Sequence, residues 1–117
     1  MIEQKEFPQK AEKEETFSLL TEIHNSSAST QRELSLKLNV SLGKVNYLLK
    51  EVVKRGWVSI KSFSSNPQKL KKVKYALTPK GFSARVDLLD YFLKKKELEY
   101  QQLKEEWERS QKEHKDI

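Results

Sequence analysis

Six residues in the middle of this 117-residue chain, Gly43, Lys44, Asn46, Tyr47, Lys50 and Lys54, share one chemical talent. At helical spacing they form, together with the acidic Glu51, a polar front opposite an apolar back made of Leu42, Val45, Leu48, Leu49, Val52 and Val53. Asparagine can bond both edge groups of adenine, lysine the edge of guanine, and tyrosine a phosphate or a thymine methyl. Gly43 lets a helix come close to a neighbouring backbone. The chemistry on offer is therefore recognition of polyanions, with no bond made or broken.

The elements that must position this front are written into the residues around it. Thr30 and Glu33 have the S/T-x-x-E spacing of a capping box, which starts a helix carrying Leu34 and Leu38 on one face. Asn39 tolerates the left-handed backbone of a sharp corner, and Val40 can fill the angle behind it. Ser41 caps a second helix that runs to Arg55 and stops at Gly56. This is helix-turn-helix spacing, whose second helix enters the major groove of double-stranded DNA; Thr30, Gln31 and Ser41, at the starts of the two helices, are expected among the DNA-binding residues.

After Gly56 the hydrophobic period changes from 3.6 to 2. Val58 and Ile60 alternate with Ser59 and Lys61, and Val73, Tyr75 and Leu77 alternate with Lys72, Lys74 and Ala76. The intervening Ser64 to Lys69 has turn chemistry. A β-hairpin is expected, with Lys61, Lys69, Lys71, Lys72 and Lys74 making residues 61–74 a basic wing against the DNA backbone or minor groove.

Charge distribution supports the same partner. Formal net charge is +6, but Val52 to Arg85 holds 9 basic residues and no acidic one. Such a patch attracts nucleic acid in a salt-dependent way.

Ahead of the motif, residues 1–9 are expected to be a loose arm. A helix follows from about Lys10 to His24, with Phe17, Leu19, Leu20 and Ile23 as core and an acidic start at Glu12 to Glu15. Behind the wing, Thr78 caps and Pro79 opens a helix that has no breaker until about Glu113. Phe82, Val86, Leu89 and Leu93 are expected to pack its first half on the domain, widened by Leu88 and Phe92. Tyr100, Leu103 and Trp107 continue the heptad stripe past Lys96 and call for a partner helix. The expected dimerisation seam is Leu89, Phe92, Leu93, Tyr100, Leu103 and Trp107.

The fold expected is mainly α with a small β-hairpin (α+β): a winged helix-turn-helix over 10–80 followed by one long C-terminal helix, 81–117, that pairs like a coiled coil. Enzyme motifs are missing: no glycine-rich phosphate loop, no H-E-x-x-H, no nucleophile elbow. With no cysteine and two distant histidines, His24 and His114, no metal or cofactor is expected. No apolar run is long enough for a membrane span, and a cytoplasmic location is expected.

The pieces TQREL (Thr30 to Leu34), NVSLGKVNYLL (Asn39 to Leu49), LTPKG (Leu77 to Gly81) and FLKKKELEYQQLKEE (Phe92 to Glu106) resemble the MarR-type winged-helix regulators. Most closely they resemble the exopolysaccharide-associated bacterial subgroup. The resemblance implies a homodimeric, sequence-specific DNA-binding transcription regulator reading a two-fold operator. Unlike many members, the chain has one C-terminal helix and little room for a phenolic-ligand pocket, so a small-molecule effector is doubtful. A winged-helix protein-interaction or assembly module, using the long helix as its strut, is the alternative.

Overall fold

In a computed structural model the described residues are 10–26, 29–62 and 73–116. Their order is α1 (Lys10–Ser26), β1 (Ser29–Thr30), α2 (Gln31–Leu38), α3 (Leu42–Lys54), β2 (Val58–Ser62), β3 (Val73–Leu77) and α4 (Pro79–Lys115). The strands form one antiparallel sheet in the order β1-β3-β2. This is the expected mainly α, winged helix-turn-helix architecture with a long C-terminal helix. The residues divide into two compact units, one up to Val86 and one from Asp87 onward.

Local chemistry sets each boundary of the helix-turn-helix. Thr30 Oγ1 accepts the Glu33 N–H at 3.1 Å while the Glu33 carboxylate accepts the Thr30 N–H at 2.9 Å, closing the box reciprocally. That backbone donor holds the Glu33 carboxyl below its ordinary pKa, so its contribution is present at neutral pH and fades as acid protonates it. Asn39 ends α2 at φ 55°, in the left-handed region. Ser41 Oγ accepts the Lys44 N–H at 3.0 Å and starts α3. Gly56, at φ 78°, follows the α3 C-cap Arg55 and reverses the chain into β2. Thr30→Ala is expected to cost about 1 kcal/mol of stability, seen as a melting point several degrees lower by circular dichroism. A melting curve unchanged within a degree would show that the box is dispensable.

The core of the first unit collects Leu19, Leu20 and Ile23 of α1, Leu34 of α2, and Val45, Leu48, Leu49 and Val52 of α3. Trp57 and Val58 close it from the strand side. Two anchors were not foreseen. Thr16 is buried. Arg85 donates from Nε to Thr21 Oγ1 at 2.9 Å with its guanidinium 5.5 Å from the Phe17 ring centroid.

Four expectations of packing are corrected. Leu42 is 45% exposed, because it lies at the first turn of α3, beside rather than behind the stripe. Ile60 is 56% exposed and Ala76 is buried, the reverse of the expected alternation. The sheet has a third strand, β1, which pairs Ser29 with Tyr75 and Thr30 with Lys74. In α4 the buried positions are Gly81, Ala84 and Leu88, whereas Phe82, Val86, Leu89 and Leu93 are exposed. The arm at residues 1–9 lies outside the described residues.

Candidate nucleic-acid interface

α3 presents its polar front as the spacing implies. Val45, Leu48, Leu49 and Val52 are 0 to 2% exposed, and Gly43, Tyr47, Lys50 and Lys54 lie on the open side. Asn46 is half-buried where α3 meets the sheet; with Leu49, Lys50, Val53, Ile60 and Tyr75 it lines a shallow, largely apolar groove. The other flank of α3 faces α1. There Lys44 Nζ lies 3.0 Å from Glu15 Oε1 and 5.7 Å from the centroid of the Tyr47 ring, and Tyr47 Oη lies 3.5 Å from Glu12 Oε1. The Glu15 hydrogen bond raises the Lys44 pKa above its ordinary value. Lys44 is thus positively charged and already engaged by a carboxylate, which its position in the sequence does not reveal.

The residues at the start of α2 do structural work. Thr30 is spent on the capping box, and Gln31 Nε2 donates to the Leu42 carbonyl at 3.3 Å, tying the first turn of α2 to the first turn of α3. Between α2 and β3 an open groove is lined by Arg32, Leu36, Leu42, Val73, Lys74 and Tyr75 along with the cap residues. Arg32 is exposed there. The sequence reading passed over it, although a cation beside a helix N-terminus that faces a basic strand is a phosphate-contact pattern.

In the wing, Lys61 and Lys74 are direct cross-strand partners, with Ile60 opposite Tyr75 and Val58 opposite Leu77 on the alternate face. Two like charges placed opposite one another cost stability in a free hairpin. Lys69, Lys71 and Lys72 lie outside the described residues. The acidic Glu12 and Glu15 and the cationic Arg32 are the functional candidates added by the structure. Among the described residues no cluster of His, Asp or Glu is arranged to hold a metal, and no helix is long and apolar enough to cross a membrane.

In the second unit, Leu89, Leu93, Tyr100, Leu103 and Trp107 are exposed, at 45, 56, 64, 69 and 60%. Phe92 is half-buried and meets Tyr91 edge to face at 5.0 Å between centroids. Leu98, 60% exposed, was not singled out because it falls off the heptad stripe.

Residues 16–59 match the model of a family described as winged helix-turn-helix DNA-binding. The architecture is also similar to that of MarR regulators. A cysteine-to-serine mutant of MarR from E. coli, solved in complex with operator DNA, is 29% identical with a TM-score of 0.55, over 62% of this chain and 50% of that one. A solved Multiple Antibiotic Resistance Repressor, MarR, is 28% identical with a TM-score of 0.56, over 65% and 53%. A MarR family transcription regulator at 20% identity, TM-score 0.60, over 71% and 53%, shares the fold. The chain spans about half the length of these solved proteins. No curated protein sequence matches it.

Proposed function

We propose that this chain is a DNA-binding transcription regulator that works as a homodimer, with α3 in the major groove and the β2–β3 wing against the backbone or minor groove. The observation that carries this is the front of α3. A helix fixed at both ends by caps exposes Gly43, Tyr47, Lys50 and Lys54, with Asn46 beside them, and its last turn opens the segment Val52 to Arg85, which has no acidic residue. The Lys61–Lys74 pair supports it, since phosphate between two opposed lysines relieves their repulsion. MarR of E. coli, whose structure includes operator DNA, supports it by likeness.

In this reading Asn46 and Tyr47 reach base edges, and Lys50, Lys54, Lys61, Lys74 and the sequence-predicted Lys69, Lys71 and Lys72 contact phosphates. Leu89, Phe92, Leu93, Tyr100, Leu103 and Trp107 supply the seam to the second copy. Control of exopolysaccharide genes is supported by the sequence resemblance alone, and occupancy of those promoters in cells is its test.

The deciding experiment is a gel shift on a promoter library with a salt series. Affinity should fall steeply as salt rises. On the preferred duplex, Asn46→Ala should cost roughly 1–3 kcal/mol and relax sequence preference, and Lys61→Ala should weaken every duplex alike. Failure to retain any duplex at low salt would end this reading and favour the protein-interaction module.

A further inference from the structure

We propose that Glu15 and Glu12 at the start of α1 are specificity-determining residues of the recognition surface, because they hold Lys44 and Tyr47 back from DNA that lacks the right bases. The inference rests on the DNA-binding reading above and adds a repulsive element to it.

Glu12 and Glu15 are three residues apart on α1, and Lys44 and Tyr47 three apart on α3, so each pair shares a helix face. The two faces meet with opposite chemistry. The Glu15 carboxylate binds the Lys44 ammonium at 3.0 Å, and the Glu12 carboxylate accepts from the Tyr47 hydroxyl at 3.5 Å. Lys44 also lies over the Tyr47 ring, 5.7 Å from its centroid, so the two side chains are held as one group. Glu15 and Lys44 side chains are each 34% exposed, which screens the ion pair and makes it weak glue for the fold. Its position is what gives it an effect: two carboxylates of α1 stand against the flank of α3 that carries Lys44 and Tyr47.

Consider a duplex of arbitrary sequence approaching α3. Its only attraction is phosphate to cation. Lys44 must either stay with Glu15 or exchange one anion for another, which gains little, and the two carboxylates repel the nearest phosphates. Non-specific association loses most of what Lys44 could add. A cognate duplex offers base-edge contacts to Asn46 and to Tyr47 once its hydroxyl leaves Glu12, and these offset the exchange. Discrimination then comes from an element that opposes the wrong partner, a general device of specific interfaces. The sequence hides it because the acidic run at Glu12 to Glu15 also suits a helix N-terminus.

The test compares the intact chain with Glu15→Gln, and with Glu12→Gln and Glu15→Gln combined, using fluorescence anisotropy. The probes are a duplex chosen by selection on the wild-type chain and a scrambled duplex of equal length, each over a salt series. Glu15→Gln should bind the scrambled duplex about three- to tenfold more tightly and the selected one less than about threefold more tightly. Its salt slope on the scrambled duplex should steepen by about one, as Lys44 becomes a new phosphate contact. Adding Lys44→Gln to Glu15→Gln should remove most of the gain, leaving only the relief of carboxylate–phosphate repulsion. Unchanged scrambled-duplex affinity, an equal gain on both duplexes, or a gain undiminished by loss of Lys44 would each overturn the proposal. If neither wild-type chain nor variants bind any duplex, the DNA-binding reading itself falls. If the wild type binds and Glu15→Gln shows no gain, only this inference falls.

Discussion

Gly81→Ala is expected to remove roughly 3 kcal/mol or more of stability and to lower the melting temperature by about 10–20 °C. A Cβ built at Gly81 would stand 1.9 Å from the Trp57 carbonyl oxygen, 2.7 Å from its carbon and 3.0 Å from Leu77 Cδ1. Two of those three atoms are backbone, and that backbone is pinned. The Trp57 N–H donates to the Val52 carbonyl at 2.9 Å, and its own carbonyl accepts the Thr78 N–H at 3.0 Å. Thr78 is held in turn, since its hydroxyl donates to the Gly56 carbonyl and accepts the Gly81 N–H at 2.9 Å. A methyl group at residue 81 therefore has to move the end of α3, the start of β2 or the first turn of α4, and each movement breaks one of these bonds. Gly43 makes the contrast, because an added Cβ there has nothing within 4 Å. Urea and thermal melts followed by circular dichroism measure the loss; a midpoint within 2 °C of wild type would mean that the contact yields easily.

That contact also shows where the sequence stopped being informative. Every signal satisfied within a few residues could be read from spacing: the Thr30–Glu33 box, the left-handed Asn39, the Ser41 and Thr78 caps, and Gly56 after the last turn of α3. These are contests between neighbouring groups, and residue type decides them. The face of α4 is a different case. Phe82, Val86, Leu89 and Leu93 satisfy helical periodicity, and so do Gly81, Ala84 and Leu88 on the adjoining face. Hydrophobic patterning favours the larger residues, but close approach of α4 to the Trp57 backbone requires the smaller ones. Small residues carry no hydrophobic signal, so of the buried positions only Leu88 was legible from periodicity.

Non-local pairing was hidden for the same reason. β1 is two residues long, and nothing in Ser29 and Thr30 announces that they will pair with Tyr75 and Lys74. The front of α3 was legible as a set of residue types. The carboxylates that hold Lys44 and Tyr47 were not, because they come from another helix.

The corrected face of α4 strengthens the second prediction. With Phe82, Val86, Leu89 and Leu93 exposed rather than packed, the heptad stripe is open from its first turn through Tyr100, Leu103 and Trp107, broken only at Lys96. From Leu89 to Trp107 it covers about 27 Å of helix, long enough for a coiled-coil seam. A stripe containing a tryptophan, a tyrosine and several leucines is costly to leave in water, and a second copy carries the matching stripe. Changing Leu103 and Trp107 together to lysine places two charges at adjacent seam positions. Both residues are at least 60% exposed in the single chain, so the substitutions remove no core contact. The expected result is a halved mass in sedimentation at micromolar concentration, with a circular dichroism melt that still shows a folded winged domain. If the proposed homodimer binds a two-fold operator through two linked domains, its affinity should fall about 100-fold or more, while binding to a single half-site stays within a few-fold of wild type. If the mass does not change, the interface lies elsewhere. If the mass halves and operator affinity holds, one copy is sufficient to read the site, and the seam serves a purpose other than spacing two half-sites.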